Sequence, residues 1–361
     1  MNPSFESSYA DLQVLVTGHT GVKGAWLAAW LQRLGARVTG FALPPEHGAR
    51  SLFEAARIGD GMTSVLGDLR DLRQIREVCR QHRPAVVFHL AAQSLVRRGH
   101  RDPIETYATN VIGTVHLLDA LRAAPGVRAV VVVTSDKCYR ERGPGPGFRE
   151  SDELGGHDPY SSSKACAELV VRAYRSSFLA QRGVAVASAR AGNVICGGDW
   201  AEDRLVPDLV RGVLAGQPTV VRNPAAVRPW QHVLDPLAGY LLLGARLLEG
   251  DGNSPWAEAW NFGPPDGDAM AVRDLVGRVT DLWDAVRMTP AEGDDGPVET
   301  GFLQLDAAKA RDRLGWSPRL TTGEAIRWTV DWYRGFLDDP RTAPAMLARQ
   351  LAAYTERLEA P

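Results

Sequence analysis

The sequence predicts an α/β protein built on a doubly wound parallel sheet, followed by a smaller C-terminal α/β domain. From Leu12 to Arg190, short apolar or β-branched runs alternate with segments of helical periodicity. A glycine-rich turn joins the first run to the first helical segment, as expected for a βαβ unit. After Asn193 the alternation breaks into loops rich in Gly, Pro and Trp, which indicates a second domain.

The strand-like runs are short, and turn signals or helical patterns separate them. They cover residues 14–17, 37–42, a run that ends at 66, 85–90, 129–134, 184–190 and 257–262. Because helices lie between them, the strands are expected to pair in parallel and to be buried on both faces. The run at 257–262 is expected to return to the same sheet as one more strand.

Apolar residues three or four positions apart predict the helices. In the first helix Trp26, Trp30 and Leu34 lie on one face, and Gly35 follows where a helix C-terminus favours glycine. The other predicted helices cover residues 103–124, 160–182, 206–214, 231–248, 272–283, 306–314 and 323–333. The helices at 103–124 and 160–182 are long enough for helices of a second subunit to pack on them, which favours a dimer.

The composition excludes several classes of protein. The 361 residues carry 41 basic and 43 acidic side chains, a net charge of −2, and 45% of them are hydrophobic, as in ordinary globular domains. Without a basic block or a Cys/His finger spacing, nucleic acid is not an expected partner. Residues 1–11 lack an apolar leader, and no apolar stretch is long enough to span a bilayer.

The four cysteines are scattered along the chain and form no CxxC pair. They are Cys79, Cys138, Cys166 and Cys196. Neither a metal site nor a disulfide framework is expected from this spacing, and a reducing cytoplasm is the favoured compartment.

A glycine motif follows the first strand. Gly18, Gly21 and Gly24 form a GxxGxxG pattern that leads directly into the Trp26 helix. Glycine permits the tight turn and lets a pyrophosphate approach the helix N-terminus, where free N–H groups and the helix dipole attract anions. In this context the motif predicts a Rossmann-type, dinucleotide-binding domain. A tight structural turn is the alternative.

The next two strands leave the choice of cofactor open. Residues 41–45, FALPP, lack the acidic residue that would bind an adenosine ribose and favour NAD over NADP, and Arg50 is a basic residue able to bind a 2′-phosphate. Asp68, after the third strand, is expected to accept a hydrogen bond from the adenine amino group. Its alternative role is to cap the helix that follows Asp71.

A tyrosine and a lysine four residues apart give the second strong signal. Tyr160 and Lys164 lie on one helix face, and Asp158-Pro159 before them is typical of a helix start. The Lys164 ammonium is expected to lower the pKa of the Tyr160 phenol from about 10 toward neutrality, helped by a nicotinamide cation. Such a tyrosinate can take the proton of a sugar hydroxyl while a hydride leaves the same carbon.

Eight segments give the chain its resemblance to a known family. It resembles the extended short-chain dehydrogenases/reductases and, within them, the nucleotide-sugar dehydratases. The segments are VTGHTGVKGAWL (16–27), SLFEAAR (51–57), HLAAQSLV (89–96), TSDKCY (134–139), DPYSSSKACAELV (158–170), RAGNVICGGDW (190–200), RPWQHVLDPLAGYL (228–241) and NFGP (261–264). TSDK, GGDW and RPWQHVLDPLAGY point to the CDP-glucose branch.

The resemblance implies the conversion of CDP-glucose to CDP-4-keto-6-deoxyglucose and water. NAD is the implied cofactor and is expected to stay tightly bound, because each turnover regenerates it. The implied cofactor-binding residues are Gly18, Thr20, Gly21, Val22, Gly24, Asp68, Leu69, Leu90, Ala91, Ala92, Gln93, Thr109, Thr134, Tyr160 and Lys164.

The resemblance also implies catalytic roles. Tyr160, with Lys164, deprotonates the glucose 4-hydroxyl, Ser135 hydrogen-bonds the 4-oxygen, and Asp136 protonates the departing C6 hydroxyl. Lys137 stands where related dehydratases carry a glutamate that removes the C5 proton. The alternative for residues 135–137 is a merely polar strand end. Asn110 positions a helix or a water in the proton relay, or simply hydrogen-bonds the helix backbone.

For the nucleotide sugar, the implied contacts are Gln93, Ser94, Asn193, Trp200, Arg204, Leu205, Arg222 and Arg228. Asn193, Arg204 and Arg228 stand where the family holds the diphosphate, and arginine forks suit phosphate oxygens. Trp200 and Arg222 are candidates for the cytidine end, although a tryptophan is more often packed in a core.

Other functions share part of these motifs. A nucleotide-sugar 4-epimerase would use the glycine motif, Tyr160 and Lys164 but not Asp136, and a dehydratase for another nucleotide hexose would use all of them. An NAD-binding scaffold would keep the fold alone. The expected domains are 1–192 with 231–263 for NAD, 193–230 with 264–340 for the nucleotide sugar, and a helical tail at 341–361. A homodimer or a dimer of dimers is the expected assembly.

Overall fold

A seven-stranded sheet forms the centre of the computed structural model, which describes residues 5–143, 145–265, 267–291 and 303–359. The strands of these residues are β1 (Gln13–Thr17), β2 (Arg37–Ala42), β3 (Thr63–Leu66), β4 (Val86–His89), β5 (Ala129–Val133), β6 (Ala185–Ala191), β7 (Val194–Ile195), β8 (Thr219–Val221), β9 (Val227–Arg228), β10 (Gln231–His232), β11 (Ala259–Phe262), β12 (Met270–Ala271) and β13 (Met288–Pro290). Parts of the predicted segments 1–192, 264–340 and 341–361 lie outside the described residues.

The strand order in the central sheet is β3-β2-β1-β4-β5-β6-β11, and every pair is parallel. The doubly wound parallel sheet predicted from the sequence is therefore confirmed, and β11 returns to it beside β6 as expected. The strand order reverses between β1 and β4. In such sheets a ligand crevice forms outside the carboxyl ends of the strands at this point.

Helices cover both faces of the sheet. They are α1 (Val22–Arg33), α2 (Leu52–Ala55), α3 (Leu72–His82), α4 (Val96–Arg101), α5 (Pro103–Tyr107), α6 (Gly113–Ala123), α7 (Pro159–Tyr174), α8 (Leu205–Ala215), α9 (Leu234–Leu248), α10 (Val272–Leu282), α11 (Thr322–Asp338) and α12 (Ala343–Glu359). Successive side chains of β5 alternate between two buried clusters: Val131 and Val133 join residues of α1, α9 and α11, whereas Val130 and Val132 join residues of α3, α6 and α7.

Several predicted helices differ in detail from the structure. The helix expected at 160–182 ends as α7 at Tyr174 and continues as a π-helical turn at Arg175–Leu179, and the helix expected at 306–314 holds a π-helical turn at Ala310–Leu314. The helix expected at 231–248 begins only at Leu234, because Gln231 and His232 form β10 and pair with β7. The helix expected at 103–124 is interrupted between α5 and α6 by a π-helical turn at Ala108–Ile112. Periodicity alone could not separate a one-residue bulge from a regular helix.

The segment expected as a C-terminal tail is packed into the molecule. The helix α12 buries Tyr354, whose ring lies edge-on to Trp30 of α1 with the ring centroids 5.5 Å apart. The Tyr354 hydroxyl donates to the Asp235 carboxylate of α9 at 2.7 Å, and the Arg319 amide donates to the same oxygen, also at 2.7 Å. Asp235 therefore links α9, the segment before α11, and α12.

Burial of Asp235 makes the stability of this junction depend on pH. Burial raises the pKa of Asp235 to about 7, above its ordinary value of 3.8. The folded chain therefore holds this proton between about pH 4 and 7 while the unfolded chain releases it, so stability falls as pH rises through this window. Asp235→Asn has no proton to lose, and we expect its free energy of unfolding to fall less steeply with pH, by at most about 1.4 kcal/mol per pH unit.

Urea unfolding of both proteins between pH 5 and 8 measures this difference. Asp331→Asn, at an exposed position of α11, is the matched control and is expected to follow the wild-type curve. Parallel curves for the wild type and Asp235→Asn would show that Asp235 does not titrate in this range. In the described part of the chain, no helix is long and apolar enough to cross a membrane.

Candidate active site

A cavity of about 900 Å³ opens at the carboxyl ends of β1, β4, β5 and β6. Apart from Asn110 and Arg50, every residue named above as a cofactor, catalytic or substrate contact lines this cavity. The predicted residues, drawn from widely separated segments of the sequence, therefore meet in one place. Asn110 lies behind the cavity wall, where it is buried.

The glycine motif forms the turn between β1 and α1. Gly18 has φ +77°, and a Cβ there would lie 2.7 Å from the Ala91 amide nitrogen. A Cβ on Gly24 would lie 2.1 Å from the Gly18 carbonyl oxygen, so the helix can pack on the turn only without a side chain. Gly21 is the N-cap residue and carries no capping side chain. Among the residues that the structure describes, no side chain caps the first N–H groups of α1 at the cavity, which fits the pyrophosphate of a dinucleotide.

The segment after β5 brings three candidate catalytic side chains together. Ser135 Oγ donates to Asp136 Oδ1 at 3.0 Å and accepts from the Lys137 amide at 3.2 Å. Asp136 is 2% exposed, and within the described residues its Oδ2 has no hydrogen-bond partner. Burial raises the pKa of Asp136, although the charges of Lys137 and Arg228 and the Ser135 hydrogen bond act in the opposite direction. This carboxyl group is suited to hold a proton and to deliver it through Oδ2.

Nothing in the spacing of the sequence associates Gly192 with Asp136. A Cβ on Gly192 would lie 3.0 Å from Asp136 Oδ2 and 2.7 Å from Pro229 Cγ. Because Gly192 has no side chain, it leaves room for the Asp136 carboxyl group.

The helix start predicted at 158–159 is present in the structure. Asp158 caps α7 by accepting from the Ser161 amide at 3.0 Å, and Pro159 occupies the first turn. Tyr160 therefore lies in the first turn of α7 at the cavity, with Lys164 one turn further on. Both side chains are buried, at 7% and 6% exposure.

The expected lowering of the Tyr160 pKa by Lys164 is wrong for the protein alone. Burial raises the pKa of Tyr160 to about 12, and the hydrogen bond with Ser135 lowers it by less than burial raises it. The pKa of Lys164 itself falls to about 8 through burial and the charge of Lys23, and its Nζ donates to the Val133 carbonyl at 3.4 Å. The desolvation of the phenol outweighs its attraction to nearby cations.

Asn110 holds the loop that follows β4. Its Oδ1 accepts from the Gln93 amide at 2.8 Å, and its Nδ2 donates to the Gln93 carbonyl at 2.9 Å and to Ser163 Oγ at 2.8 Å. The π-helical turn thus supplies a side chain that joins the cofactor loop to α7, rather than a bond to its own helix backbone. Thr109, in the same turn, lines the cavity.

Ion pairs hold Arg204 and Arg222, two of the three arginines predicted for the diphosphate and the nucleoside. Arg204 donates to Asp199 Oδ2 at 2.8 Å and to Ser94 Oγ at 2.7 Å. Arg222 donates to Asp203 Oδ1 at 3.2 Å. These arginines are fixed before any anion arrives, which favours binding because less side-chain entropy is lost.

Trp200 is packed mainly as a core residue. It lines the cavity but is only 5% exposed, and its ring contacts Tyr333 edge-on and Phe336 at a tilt. The Arg50 guanidinium lies 5.9 Å from the Trp200 ring centroid and is not among the residues that line the cavity.

A buried ion-pair network joins α7 to the ends of β5 and β6, next to the segments that carry the candidate catalytic residues. Glu168, one turn after Lys164 on α7, accepts from Thr134 Oγ1 at 2.5 Å, from Ser188 Oγ at 2.7 Å and from Arg190 at 2.8 Å. Burial raises the pKa of Glu168, but the hydrogen bond and charge of Arg190 outweigh it and the pKa is lowered. The network fixes the end of β5 against α7 and thereby the spacing of the two catalytic segments.

Sequence reasoning missed Lys23, which lies between Gly21 and Gly24 in the glycine motif. Its ammonium lies 6.0 Å from the Tyr240 ring centroid, and burial together with the charge of Arg204 lowers its pKa to about 8. The turn itself does not require a cation. The lysine between two of its glycines was therefore the signal in the sequence that pointed to a role in the site.

Asp68 does not cap α3, because Asp71 caps that helix by accepting from the amides of Arg73 and Gln74. Asp68 instead holds the Arg70 guanidinium with both oxygens, at 2.6–3.0 Å. It lines the cavity beside Leu69, and its contact with adenine stays a prediction.

The Rossmann-type sheet, the open glycine turn and the Tyr160–Lys164 pair in one crevice define a protein of the short-chain dehydrogenase/reductase class. Residues 14–257 match the model of the NAD dependent epimerase/dehydratase family, and the chain belongs to this family.

Individual relatives and solved structures agree with this assignment. The chain is 48% identical over 333 residues to the CDP-glucose 4,6-dehydratase of Salmonella typhimurium, covering 90% of this chain and 92% of the relative. It is 30% identical over 286 residues to a UDP-glucose 4-epimerase of Rhizobium leguminosarum bv. trifolii, covering 74% and 83%. The crystal structure of a DesIV double mutant, a dTDP-glucose 4,6-dehydratase from Streptomyces venezuelae with NAD bound, superposes with a TM-score of 0.76 at 27% identity and covers 90% and 97% of the two chains.

Proposed function

We propose that this chain converts CDP-glucose to CDP-4-keto-6-deoxyglucose and water, with NAD as a cofactor that each turnover regenerates. The observation that carries the proposal is Asp136, a buried carboxyl group with a raised pKa and an unpartnered oxygen beside the Tyr160 cavity. The 48% identity to a CDP-glucose 4,6-dehydratase supports the substrate.

The residues for the cofactor are those of the glycine turn and of the loops after β3 and β4. The N–H groups at the start of α1 would hold the pyrophosphate, and Gly18 and Gly24 keep the turn compact. These residues would hold NAD, which would supply the hydride acceptor for C4 and the hydride donor for C6. We propose that residues 1–192 with 231–263 form this half of the site and that 193–230 with 264–340 hold the nucleotide sugar.

Tyr160 is the proposed base for the 4-hydroxyl. Its phenolate oxygen takes the hydroxyl proton, and Ser135, which shares a hydrogen bond with the phenol, also binds the 4-oxygen. Because burial favours the neutral phenol, a positive charge brought into the site with the ligands is needed to ionise it. Lys164 lies one turn further along α7, where its Nζ donates to the Val133 carbonyl.

Asp136 and Lys137 are proposed to catalyse the elimination. The ketone at C4 acidifies the C5 proton, which Lys137 helps to remove either as a neutral base or as a fixed cation beside the enolate oxygen. Asp136 gives its proton to the C6 hydroxyl, which leaves as water, and C5 regains a proton when the hydride returns to C6. A raised pKa suits this role, because the acid must be protonated when the C–O bond breaks.

A 4-epimerase is the second candidate, since one relative at 30% identity carries that name. An epimerase needs Tyr160 and Lys164 but has no leaving group at C6. A buried acid at Asp136 therefore favours dehydration over epimerisation.

Incubation of the purified chain with NAD and, in turn, CDP-, UDP-, GDP- and dTDP-glucose tests the proposal. We expect a product lighter by one water with CDP-glucose, and no such product from Asp136→Asn. A sugar of unchanged mass but altered configuration would support an epimerase. A chain that binds NAD and leaves every sugar unchanged would support a scaffold.

We expect NAD to bind at least about tenfold more tightly than NADP, a difference of about 1.4 kcal/mol. The strand β2 ends at Ala42 and is followed by Leu43, and Arg50 packs over Trp200 instead of lining the cavity. Fluorescence titration with each dinucleotide measures the two dissociation constants. Equal constants would mean that a cation binds the 2′-phosphate after all, and Arg50→Ala would then show whether Arg50 supplies it.

We propose a homodimer or a dimer of dimers in the cytoplasm. Large apolar side chains are exposed along the helical segments on which a second copy would pack: Ile104 at 82%, Leu169 at 54%, Ile112 at 48% and Phe178 at 38%. All four cysteines are free, in keeping with a reducing compartment. Light scattering after size-exclusion chromatography tests the assembly, and a monomer would contradict it.

A further inference from the structure

We propose that Asp208 binds the nucleobase of the substrate and selects cytosine over uracil and thymine. This inference rests on the function proposed above and adds the group that would make the site specific for a cytidine nucleotide.

The position of the nucleobase follows from which elements line each end of the cavity. The glycine turn and the loops after β2 and β3 form one end, and the first turn of α8 together with β8 forms the other. The loop after β4 reaches between them, since Ser94 Oγ accepts from Arg204, the N-cap residue of α8, at 2.7 Å. The hexose must reach Tyr160 and Asp136 between them, and the cofactor takes the glycine end. The nucleobase is therefore left with the α8–β8 end.

The walls of this end suit a flat aromatic ring. The apolar side chains that line it are Val206, Pro207, Val220, Val221, Ala226 and Val272. They offer contact to the faces of a base, whereas its hydrogen-bonding edge needs polar partners. Asp208 and Arg222 line the same end and supply an acceptor and a donor.

Asp208 and Arg222 are each held in place by a neighbouring charged residue. Each keeps hydrogen-bonding atoms that remain available to a ligand. Arg211 donates to Asp208 Oδ1 and not to Oδ2, and the Asp208 side chain is 29% exposed. Arg222 is paired through Nη1 with Asp203, and a guanidinium has further N–H donors. Burial raises the pKa of Asp208, so a hydrogen-bond donor from a ligand would offset part of its lost hydration.

Cytosine presents the complementary edge. Its N4 amino group donates to a carboxylate, while N3 and O2 accept from a guanidinium. Uracil and thymine place the O4 acceptor where cytosine has the amino group, so two acceptors would face each other at Asp208. A site built for a donor rejects such an analogue strongly, because its buried acceptor is left unpaired.

Calorimetric titration of the full chain, saturated with NAD, with CDP, UDP, dTDP and GDP tests the inference. We expect the wild type to bind CDP at least about tenfold more tightly than UDP or dTDP. Asp208→Asn offers an amide that can donate to O4, so the preference for CDP over UDP should fall to about twofold or less. Asp208→Glu keeps the carboxylate and should keep the preference.

Asp274→Asn is the matched control, because Asp274 occupies the first turn of α10 and does not line the cavity. It should not change any of the four affinities. If Asp208→Asn melts like the wild type yet keeps the full preference for CDP, the role of Asp208 is refuted while the proposed function stands. If the wild type binds none of the four, or prefers UDP, dTDP or GDP, the proposed substrate fails and this inference fails with it.

Discussion

Tyr160→Phe is expected to lower turnover at least about hundredfold, the lower end of the range for loss of a general base. The substitution removes one oxygen atom from a helix that keeps its cap at Asp158 and its network at Glu168. Folding and NAD binding should therefore be unchanged. Turnover of CDP-glucose, circular dichroism and NAD titration measure the three quantities.

Tyr174→Phe provides the control, because Tyr174 lies on the same helix and does not line the cavity. It should retain wild-type turnover. Near-normal turnover of Tyr160→Phe would require a different base for the 4-hydroxyl. Loss of turnover together with loss of the thermal transition would instead show that the phenol oxygen supports folding.

Lys137→Met is expected to separate oxidation from elimination. C4 oxidation depends on Tyr160 and Lys164, so reduced cofactor should still appear when substrate is added. Exchange of the C5 proton with solvent deuterium and loss of water should slow by about a hundredfold, as when a general base or an electrostatic stabiliser is removed. Mass spectrometry in deuterated buffer measures both steps.

Lys137→Arg distinguishes the two proposed roles of this lysine. Arginine keeps a fixed positive charge but does not act as a base near neutral pH. Recovery of exchange in Lys137→Arg would assign Lys137 as a cation beside the enolate, and continued loss would assign it as the base. Elimination at the wild-type rate in Lys137→Met would exclude both roles.

The central sheet was predictable because its signal is local. Most of the strands are short apolar runs, and the helices between them carry regular apolar spacing, so these elements are visible within their own segments. The edge strand β3, with sequence TSVL, is the exception and is largely exposed. The π-helical turn at 108–112 and the two-residue strand β10 were not predictable. Both depend on partners far along the chain: Asn110 on Gln93, and Gln231 on β7.

The meeting of the predicted site residues in one cavity was also predictable, whereas the electrostatics of that cavity were not. The predicted contacts all line one cavity, because loops at the carboxyl ends of parallel strands meet there. The pKa of Tyr160 depends on desolvation and on the direction of the Lys164 side chain. The four-residue spacing of the two residues determines neither. The role of Gly192 was not predictable either, because Gly192 follows β6 whereas Asp136 follows β5, and only the folded structure brings the two together.

The π-helical turn between α5 and α6 also limits how this stretch of sequence can change in length. One residue rotates a helix by about 100°, so deleting a residue at 108–112 would restore a regular helix and turn Asn110 away from the Gln93 loop. Insertions and deletions in surface loops elsewhere do not rotate the helices that carry site residues. An insertion or deletion at 108–112 would rotate α5 relative to α6 and misalign either Asn110 or the core residues of α6, such as Leu117. We therefore expect the length of this segment to be invariant among chains that keep Asn110 in this role, even where the side chains around it differ.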